Sequence, residues 1–569
     1  MREIVTVQVG TYANFVGSHF WNFQDELLGL AEDPHSNEVF RGQYLDMDVL
    51  YRAGETQQGI STYTPRVLSI GLQGSLGSMS SQGTLYNEDP PVSLEVPTWT
   101  GNISTQASEA QKKNLFLQSL YEEHTNNDVN SQNNGSSKIQ DKDMVENLEN
   151  VVQYWTDYSK VHYHPKSLYE LNGLWVEPHQ FDNYGAGKDA FHEGLRGEEM
   201  TDRLRFFIED CDHIQGIQFI VDDSGAYSGM AADFLENIAD EYSNTPLLLY
   251  AVRPPHTHIN PRSMKERILQ NLHDAVSFSK LSSFTKLIVP AGLPSLSGSK
   301  ASKFLSIKDE KPYHTSAIYA SALHSLSLPF RISPTGPTDV ASHTYGALSM
   351  GEAIQILSGQ ARQNIVQILD VAMPAPSLTG EHGYSSLLAN LHPLTSETAE
   401  DAEDMQATES VIIHGARGSE GHPAKLSEVK DAIEAAYEHA STRPRFSHLS
   451  IASCPLPIPL PFPSIFRNMV GQNGQILSGP ISGCSQSKGS LDVHSMPMAA
   501  RLRSSTAVLP FLENRLGNLR RFGTERGAMG AEILRSWGFG KDDIDEVAET
   551  LSRMVMNLDP PSEGSSDSD

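Results

Sequence analysis

The residues best placed to do chemistry lie in a short polar turn, Asp222-Asp223-Ser224-Gly225-Ala226-Tyr227-Ser228-Gly229. An apolar run, Ile214 to Val221, leads into it. A helical pattern leaves it, with Met230, Phe234, Leu235, Ile238, Ala239 and Tyr242 on one face. Pro246 then opens a second apolar run, Leu247 to Val252. Strand, turn, helix and strand in this order predict a βαβ unit with buried parallel strands. A Gly/Ser turn that feeds a helix N-terminus offers free backbone N–H groups and the positive end of the helix dipole, which together hold phosphate. Ser224, Gly225, Ser228 and Gly229 are the residues that would do so. The plainer alternative is that the glycines only permit a tight turn, as in βα units without a ligand. Two further turns carry glycine and polar residues. Gly10-Thr11-Tyr12-Ala13-Asn14 follows a strand pattern, Glu3 to Val9, and is by itself a weak ligand signal. Phe181 to Lys188 reads as a polar loop carrying Asn183, Gly185 and Gly187. Lys188 could meet a phosphate there, although a solvated surface lysine is the commoner role. His162 and His164 lie two apart with no third ligand near, so packed or surface histidines are favoured and no metal site is assigned.

The elements around these turns alternate strand and helix. Phe15, Val16, Phe20, Trp21, Phe23, Leu27 and Leu28 predict a helix after the first turn, and Val67 to Leu72 a second strand. Residues 121–150 are Asn/Gln/Ser/Asp-rich and predict a flexible insertion. A helix is expected over Glu193 to Asp210, another around Ile268, Leu272, Ala275 and Val276, and a strand at Leu287 to Val289. Tyr313 to Leu328 is a small-residue helix suited to a buried central position, with Thr315 as its N-cap. After Pro329 short strands and Pro-rich loops alternate. Helices are expected at Met350–Leu357, Gln363–Leu369 and Leu426–His439, strands at Val411–Ile413 and Leu449–Ile451, and a solvated acidic loop at 396–410. Pro455 to Pro463, with proline at every second position, reads either as a polyproline II ligand or as a packed extended connector. A helix from Asp542 to Leu558 and a disordered acidic tail close the chain. The domains are thus 1–312, a central helix at 313–328, a second domain at 329–525, a helical region at 526–558 and a tail at 559–569.

Composition narrows the function. The 569-residue chain carries 42 basic and 70 acidic residues, a net charge of −28. Such a balance argues against nucleic-acid binding and against broad docking on anionic lipid, both of which need Lys and Arg. Cys211, Cys454 and Cys484 are far apart, which argues against a disulfide framework and for a reducing compartment. The N-terminus enters a strand at once and reads as neither signal nor transit peptide. No window offers about 18 uninterrupted apolar residues, so any membrane association would be peripheral.

Several segments resemble the tubulins. Arg2 to Val5 through Gly10, with Asn14, Gly17 and Phe20-Trp21, is similar to the first strand, nucleotide loop and helix of that family. Glu209 to Asp212 and Ile214-Gln215-Gly216 resemble the segment before its phosphate loop, where Gly225 to Met230 then stands. Gly359-Gln360 and Met373-Pro374-Ala375-Pro376 resemble the second-domain loop that completes a neighbour's active site and the segment after that loop. With GSHFWNFQDE near the start, YTPR at Tyr63–Arg66 and HYHPKS at His162–Ser167, the chain is identified as a member of the Misato family, tubulin-related proteins linked to mitochondrial distribution and morphology. The resemblance implies an α/β, tubulin-like fold: a Rossmann-like parallel-sheet N-terminal domain, a central helix, a smaller α+β second domain and a C-terminal helix. It implies nucleotide contacts at Gly10, Thr11, Asn14 (toward the base), Asn183, Gly185, Gly187, Ser224, Gly225, Ser228 and Gly229, with GTP or GDP as the ligand if binding is retained.

The departures from the family pattern bear on catalysis. Ala226 and Tyr227 interrupt the glycine run that lets a backbone approach phosphate. Gly71 and Gln73 stand where acids would approach magnesium, so no carboxylate is offered. Arg362, Asn364 and Gln367 stand where acids would activate water, and an amide is no general base at neutral pH. The expectation is a non-catalytic tubulin-like protein with no catalytic residues. It would act in mitochondrial distribution, morphology and inheritance through protein partners at the outer membrane or cytoskeleton, and reside in the cytoplasm and on the mitochondrial outer surface. The alternatives are a slow or partner-stimulated GTPase that forms filaments, and a scaffold with nucleotide lodged as a structural cofactor.

Overall fold

The computed structural model describes residues 2–41, 45–55, 59, 61–81, 83, 112–128, 140–176, 181–255, 263–332, 343–359, 364–378, 387–399, 404–418, 421–438, 440, 442–477, 479, 487–525 and 527–558. The acidic tail, the Asn-rich 129–139, Arg362 and Cys484 lie outside them.

The first half is built on a six-stranded parallel sheet. Its strands are β1 (Glu3–Val9), β4 (Val67–Gln73), β5 (Leu168–Trp175), β6 (Ile214–Asp222), β7 (Leu247–Val252) and β8 (Leu287–Ala291), in spatial order β5-β4-β1-β6-β7-β8. Between β1 and β4 the chain makes an antiparallel hairpin, β2 (Tyr51–Glu55) and β3 (Ser61–Pro65). Every residue of β1 is buried, because a central parallel strand is covered on both faces. Val5, Val7 and Val9 face one core and pair in register with Ile217, Phe219 and Val221 of β6. Thr6 and Gln8 are buried polar residues tied to neighbouring strands: Gln218 Nε2 donates to Thr6 Oγ1 (2.7 Å) and Ser69 Oγ to Gln8 Oε1 (3.0 Å).

Helices cover both faces. α1 (Thr11–Glu32) follows β1 and packs with the central helix; α2 (Glu38–Arg41) is a single turn. α3 (Leu115–Asp128) and α4 (Asp141–Val151) precede β5, and α5 (Tyr184–His192) and α6 (Arg196–Glu209) precede β6. α7 (Ala226–Glu241) follows β6 and α8 (Met264–Phe284) follows β7, on the face opposite α1. Helices Leu509–Leu519, Ala531–Ser536 and Lys541–Leu558 pack onto that same face, through Phe511, Leu534, Val547 and Leu551 among others.

The central helix α9 (Pro312–Ser327) is buried from Tyr313 to Ser327, between α1 and the second sheet. That sheet uses β9 (Thr344–Tyr345), β10 (Ile368–Ala372), β11 (His392–Pro393), β12 (Thr408–His414), β13 (Phe446–Ala452) and β16 (Met498–Ser504), ordered β11-β10-β16-β12-β13-β9. Only β12 and β13 pair in parallel. α10 (Met350–Ser358) precedes β10, the helix Leu426–Glu438 covers the far face, and β14 (Leu456–Pro457) pairs with β15 (Ser495–Met496). The tubulin-like α/β architecture expected from sequence is the one observed.

Several local expectations are corrected. Both ends of the 121–150 insertion are helix: α3 runs to Asp128, and Met144 and Leu148, one turn apart, are buried and anchor α4. Tyr184 to Lys188 is the start of α5, not loop, and the helix expected from Glu193 to Asp210 begins at Arg196. Of the helix expected at 363–369, residues 364–369 run as extended chain into β10, because Val366 and Ile368 are buried against the first domain's core. Lys311, not Thr315, precedes α9; Thr315 lies inside its first turn. The acidic segment 396–410 is pinned at several points: Asp404 accepts from Thr506 N–H (2.7 Å), Glu397 from Asn514 Nδ2 (2.9 Å), and β12 begins at Thr408. In the proline run Leu456, Ile458 and Phe462 are buried, which selects the packed connector. His164 stacks on Phe206 at 4.8 Å, and the described residues contain no metal-ligand cluster.

Candidate functional site

Neighbouring strands β1 and β6 send their chains to opposite faces of the sheet, to α1 and α7. At such a switch point an open α/β sheet leaves a crevice beyond the carboxyl ends of its strands, where ligands bind. Gly10, Thr11, Ser224 and Gly225 all lie at its mouth. Gly10 has φ +121°, and a Cβ there would stand 2.3 Å from Asp222 Cγ, so only glycine lets the turn pass.

Asp222, the last residue of β6, reaches into this crevice. Its Oδ1 accepts from Ala13 N–H at 2.7 Å and its Oδ2 from Tyr12 N–H at 3.1 Å. These are donors of the first turn of α1, which Gly10 cannot cap with a side chain. An internal carboxylate thus holds the helix N-terminus that a phosphate would otherwise occupy. Burial pushes the Asp222 carboxyl up to about 7, against the lowering effect of the backbone N–H groups.

Two tyrosines fill the space on either side. Tyr227, in the first turn of α7, is 9% exposed; its hydroxyl accepts from Leu72 N–H at 3.2 Å and bonds the Thr11 side chain, and its ring meets Phe181 edge-on at 5.1 Å. Tyr12 donates its hydroxyl to Thr315 Oγ1 of α9 at 2.9 Å and packs edge-on against Tyr319. Tyr12 and Tyr227 thus line the crevice, while Thr11 is exposed and Asp222 to Gly225 are half-buried at its mouth.

The other expected residues serve packing and capping. Asn14 Nδ2 donates to Ile70 O (3.1 Å), which ties α1 to β4, while its buried Oδ1 has no partner. Ser228 Oγ donates to Gly225 O (2.8 Å) and shares a hydrogen bond with Ser277 Oγ (2.7 Å), so it is spent between α7 and α8. Asn183 caps α5, its Oδ1 accepting from Ala186 N–H at 3.0 Å. A Cβ at Gly187 would lie 1.7 Å from Ala226 O, at Gly229 2.2 Å from Tyr184 O, and at Gly185 2.7 Å from Trp537 Cα. These glycines let α5, α7 and the C-terminal region touch backbone to backbone. Gly225 (φ +71°) precedes α7, which has no side-chain cap. Ser224 is half-buried beside it and Lys188 is exposed, its charge acting on Asp233.

Asp223, beside the crevice, is tied into an ion-pair cluster: Arg253 Nε meets it at 2.6 Å and Arg253 Nη1 meets Asp274 at 2.7 Å. Burial works against the Arg253 charge, but the two carboxylates outweigh it and hold the guanidinium above its ordinary value.

The groups at the other departures from the family pattern are engaged within the protein. Gln73 Oε1 accepts from Gly173 N–H (3.1 Å), and Glu170 accepts from Gly74 N–H (2.7 Å). Asn364 and Gln367 are buried, 6% and 0% exposed, and hydrogen-bond within their own domain. At the α1 terminus a phosphate would meet the Asp222 carboxyl, with Tyr12 and Tyr227 packed beside it; the α7 terminus, entered through Gly225, has no side-chain cap. Sequence reading missed Asp222 and Tyr12. It counted Asp222 as part of a turn, and the partner that gives it meaning is 210 positions away.

Comparison with known proteins agrees with this architecture. Residues 2–122 match the Misato Segment II tubulin-like domain and residues 145–332 the Tubulin domain. Protein misato homolog 1 of Mus musculus is 29% identical over 98% of this chain and 97% of its own length, and that of Homo sapiens 28% over the same shares. Protein dml-1 of Neurospora crassa is 26% identical over 66% of this chain and 64% of its own. The chain belongs to the Misato family of tubulin-like proteins.

Proposed function

We propose that this chain is a tubulin-like protein without GTPase activity that works as a structural and regulatory body. It acts through protein partners in mitochondrial distribution, morphology and inheritance, in the cytoplasm and at the mitochondrial outer surface. One observation carries the non-catalytic part: Asp222 occupies the α1 N–H groups at the sheet's switch point, with Tyr227 and Tyr12 lining the space around it. Among the described residues, the Glu170 carboxylate at the β4 loop is taken by Gly74 N–H, and amides rather than acids stand at Asn364 and Gln367. The mitochondrial part rests on the family resemblance. Among the described residues no helix is long and apolar enough to cross a membrane, so the reading needs only peripheral association.

The test of catalysis is turnover of radiolabelled GTP by the full chain, alone and with cell extract. The expected result is release of phosphate no faster than buffer; hydrolysis that follows the protein through purification would favour the slow, partner-stimulated GTPase instead. For the cellular role, depletion of the protein should alter the mitochondrial network. Re-expression of wild type and of Asp222→Asn should restore it equally, because no nucleotide cycle is being read. A normal network after depletion would refute the mitochondrial part.

A further inference from the structure

Arg331, just past the end of α9, is 1% exposed, and no carboxylate of the described residues lies within 4.0 Å of its guanidinium. Its donors reach neutral groups only. Nη1 gives to Gln24 Oε1 and, at 3.4 Å, to Ser327 Oγ; Nη2 meets Met47 Sδ at 3.3 Å; Nε has no partner. The acids nearby are engaged elsewhere: Asp25 with Lys160 at 3.2 Å, and Asp46 with the N–H of Asp48 at 3.0 Å.

Two more buried donors in the same place lack partners. They are the Tyr51 hydroxyl and the Trp21 indole N–H, on residues 1% and 0% exposed. The two rings meet edge to face with centroids 5.8 Å apart. Trp21 and Gln24 are three residues apart on α1 and so share a face, and Gln24 is held by Arg331. The Arg331 charge acts on the Tyr51 hydroxyl, and the buried Cys454 of the second domain acts on Arg331, which places the cluster at the joint of the two domains.

A fully buried guanidinium is found with a counter-charge, since an unpaired charge in a low-dielectric interior is strongly unfavourable. The orphaned Nε of that cation, with the orphaned Tyr51 hydroxyl and Trp21 indole N–H on neighbouring residues, calls for an acceptor that also carries negative charge. A water would satisfy donors and leave the charge uncompensated. Arg331, Tyr51 and Trp21 are each at most 1% exposed, which favours a small ion over a carboxylate or phosphate ligand. We propose that Arg331, Tyr51 and Trp21 hold one buried halide ion, chloride in the cell, as a structural counterion between the domains.

The test uses the full chain. Crystals grown in sodium bromide are measured at the bromine absorption edge. In parallel, the thermal midpoint is followed against chloride at constant ionic strength, with methanesulfonate as the balancing anion. The expected result is one anomalous peak within hydrogen-bond distance of Arg331 Nε and Tyr51 Oη, and a midpoint that rises with chloride as for any ligand of the native state. Tyr51→Phe, which removes one donor and keeps the ring, should need at least fivefold more chloride for half the effect. Density for water without anomalous signal, or a midpoint indifferent to chloride in the wild type, overturns the proposal whether or not the variant folds.

Discussion

Replacing Asp222 by asparagine tests the electrostatics of the crevice. The side chain keeps its shape and one acceptor oxygen, and it loses the ability to ionise. Burial raises the carboxyl from 3.8 to about 7. At about 1.4 kcal/mol per tenfold change in proton affinity, holding it ionised well above pH 7 costs ~4 kcal/mol. That raised value already includes the opposing pull of the α1 N–H groups, so burial wins by ~4 kcal/mol. The folded value is raised above the unfolded one, so the group's contribution is complete below pH 3.8 and is lost as pH rises through 7. Asp222→Asn should therefore resemble wild type below pH 4 and exceed it in stability at pH 8.5, with the gap opening between about pH 4 and 7. Urea unfolding of both proteins across that range is the assay. An asparagine variant less stable than wild type by a constant amount at every pH would overturn this electrostatic picture, for it would mean that the backbone N–H groups hold the carboxylate ionised.

Other predictions follow from the same packing. Gly187→Val puts a branched side chain where even a Cβ would lie 1.7 Å from Ala226 O, and should cost more than the ~1–3 kcal/mol of ordinary overpacking, read as loss of soluble protein or a large fall in midpoint. Glu149 accepts from His314 Nε2 at 2.8 Å and Ser464 N–H at 2.7 Å, and although burial works against its charge, these partners bring its carboxyl down to about 2. Its folded value is depressed, so its contribution is present above pH 4.5 and lost as pH falls toward 2; Glu149→Gln should show less acid sensitivity in that window than wild type, measured by fluorescence on acid titration. Phe462→Ala removes a ring 1% exposed that packs on Phe466 and Phe23, and should cost ~3–5 kcal/mol; a neutral result would reopen the proline run as an exposed ligand.

Much of the parallel sheet was legible because its strands are buried on both faces and so read as short apolar runs: β1, β4, β6, β7 and β8 each do. The β2–β3 hairpin was not, since Tyr51-Arg-Ala-Gly-Glu and Ser61-Thr-Tyr-Thr-Pro mix charge, glycine and proline over five residues each. α4 hid inside a polar segment because two buried residues, Met144 and Leu148, suffice to dock it. α5 was obscured by Gly185 and Gly187, which weaken helix propensity locally but are required where α5 meets α7 and Trp537. At the site, the Gly/Ser turn and Tyr227 were visible along the chain. The role of Asp222 was not, because it exists only when the ends of β1 and β6 lie side by side.

If the crevice of this tubulin-like fold is filled by its own side chains, the purified protein carries no nucleotide. Freshly purified full-length chain is denatured, and the released small molecules are separated by anion exchange and identified by mass spectrometry. The expected result is no guanine nucleotide above the level of an unrelated protein carried through the same steps. One guanine nucleotide released per chain would show that the crevice is open and occupied.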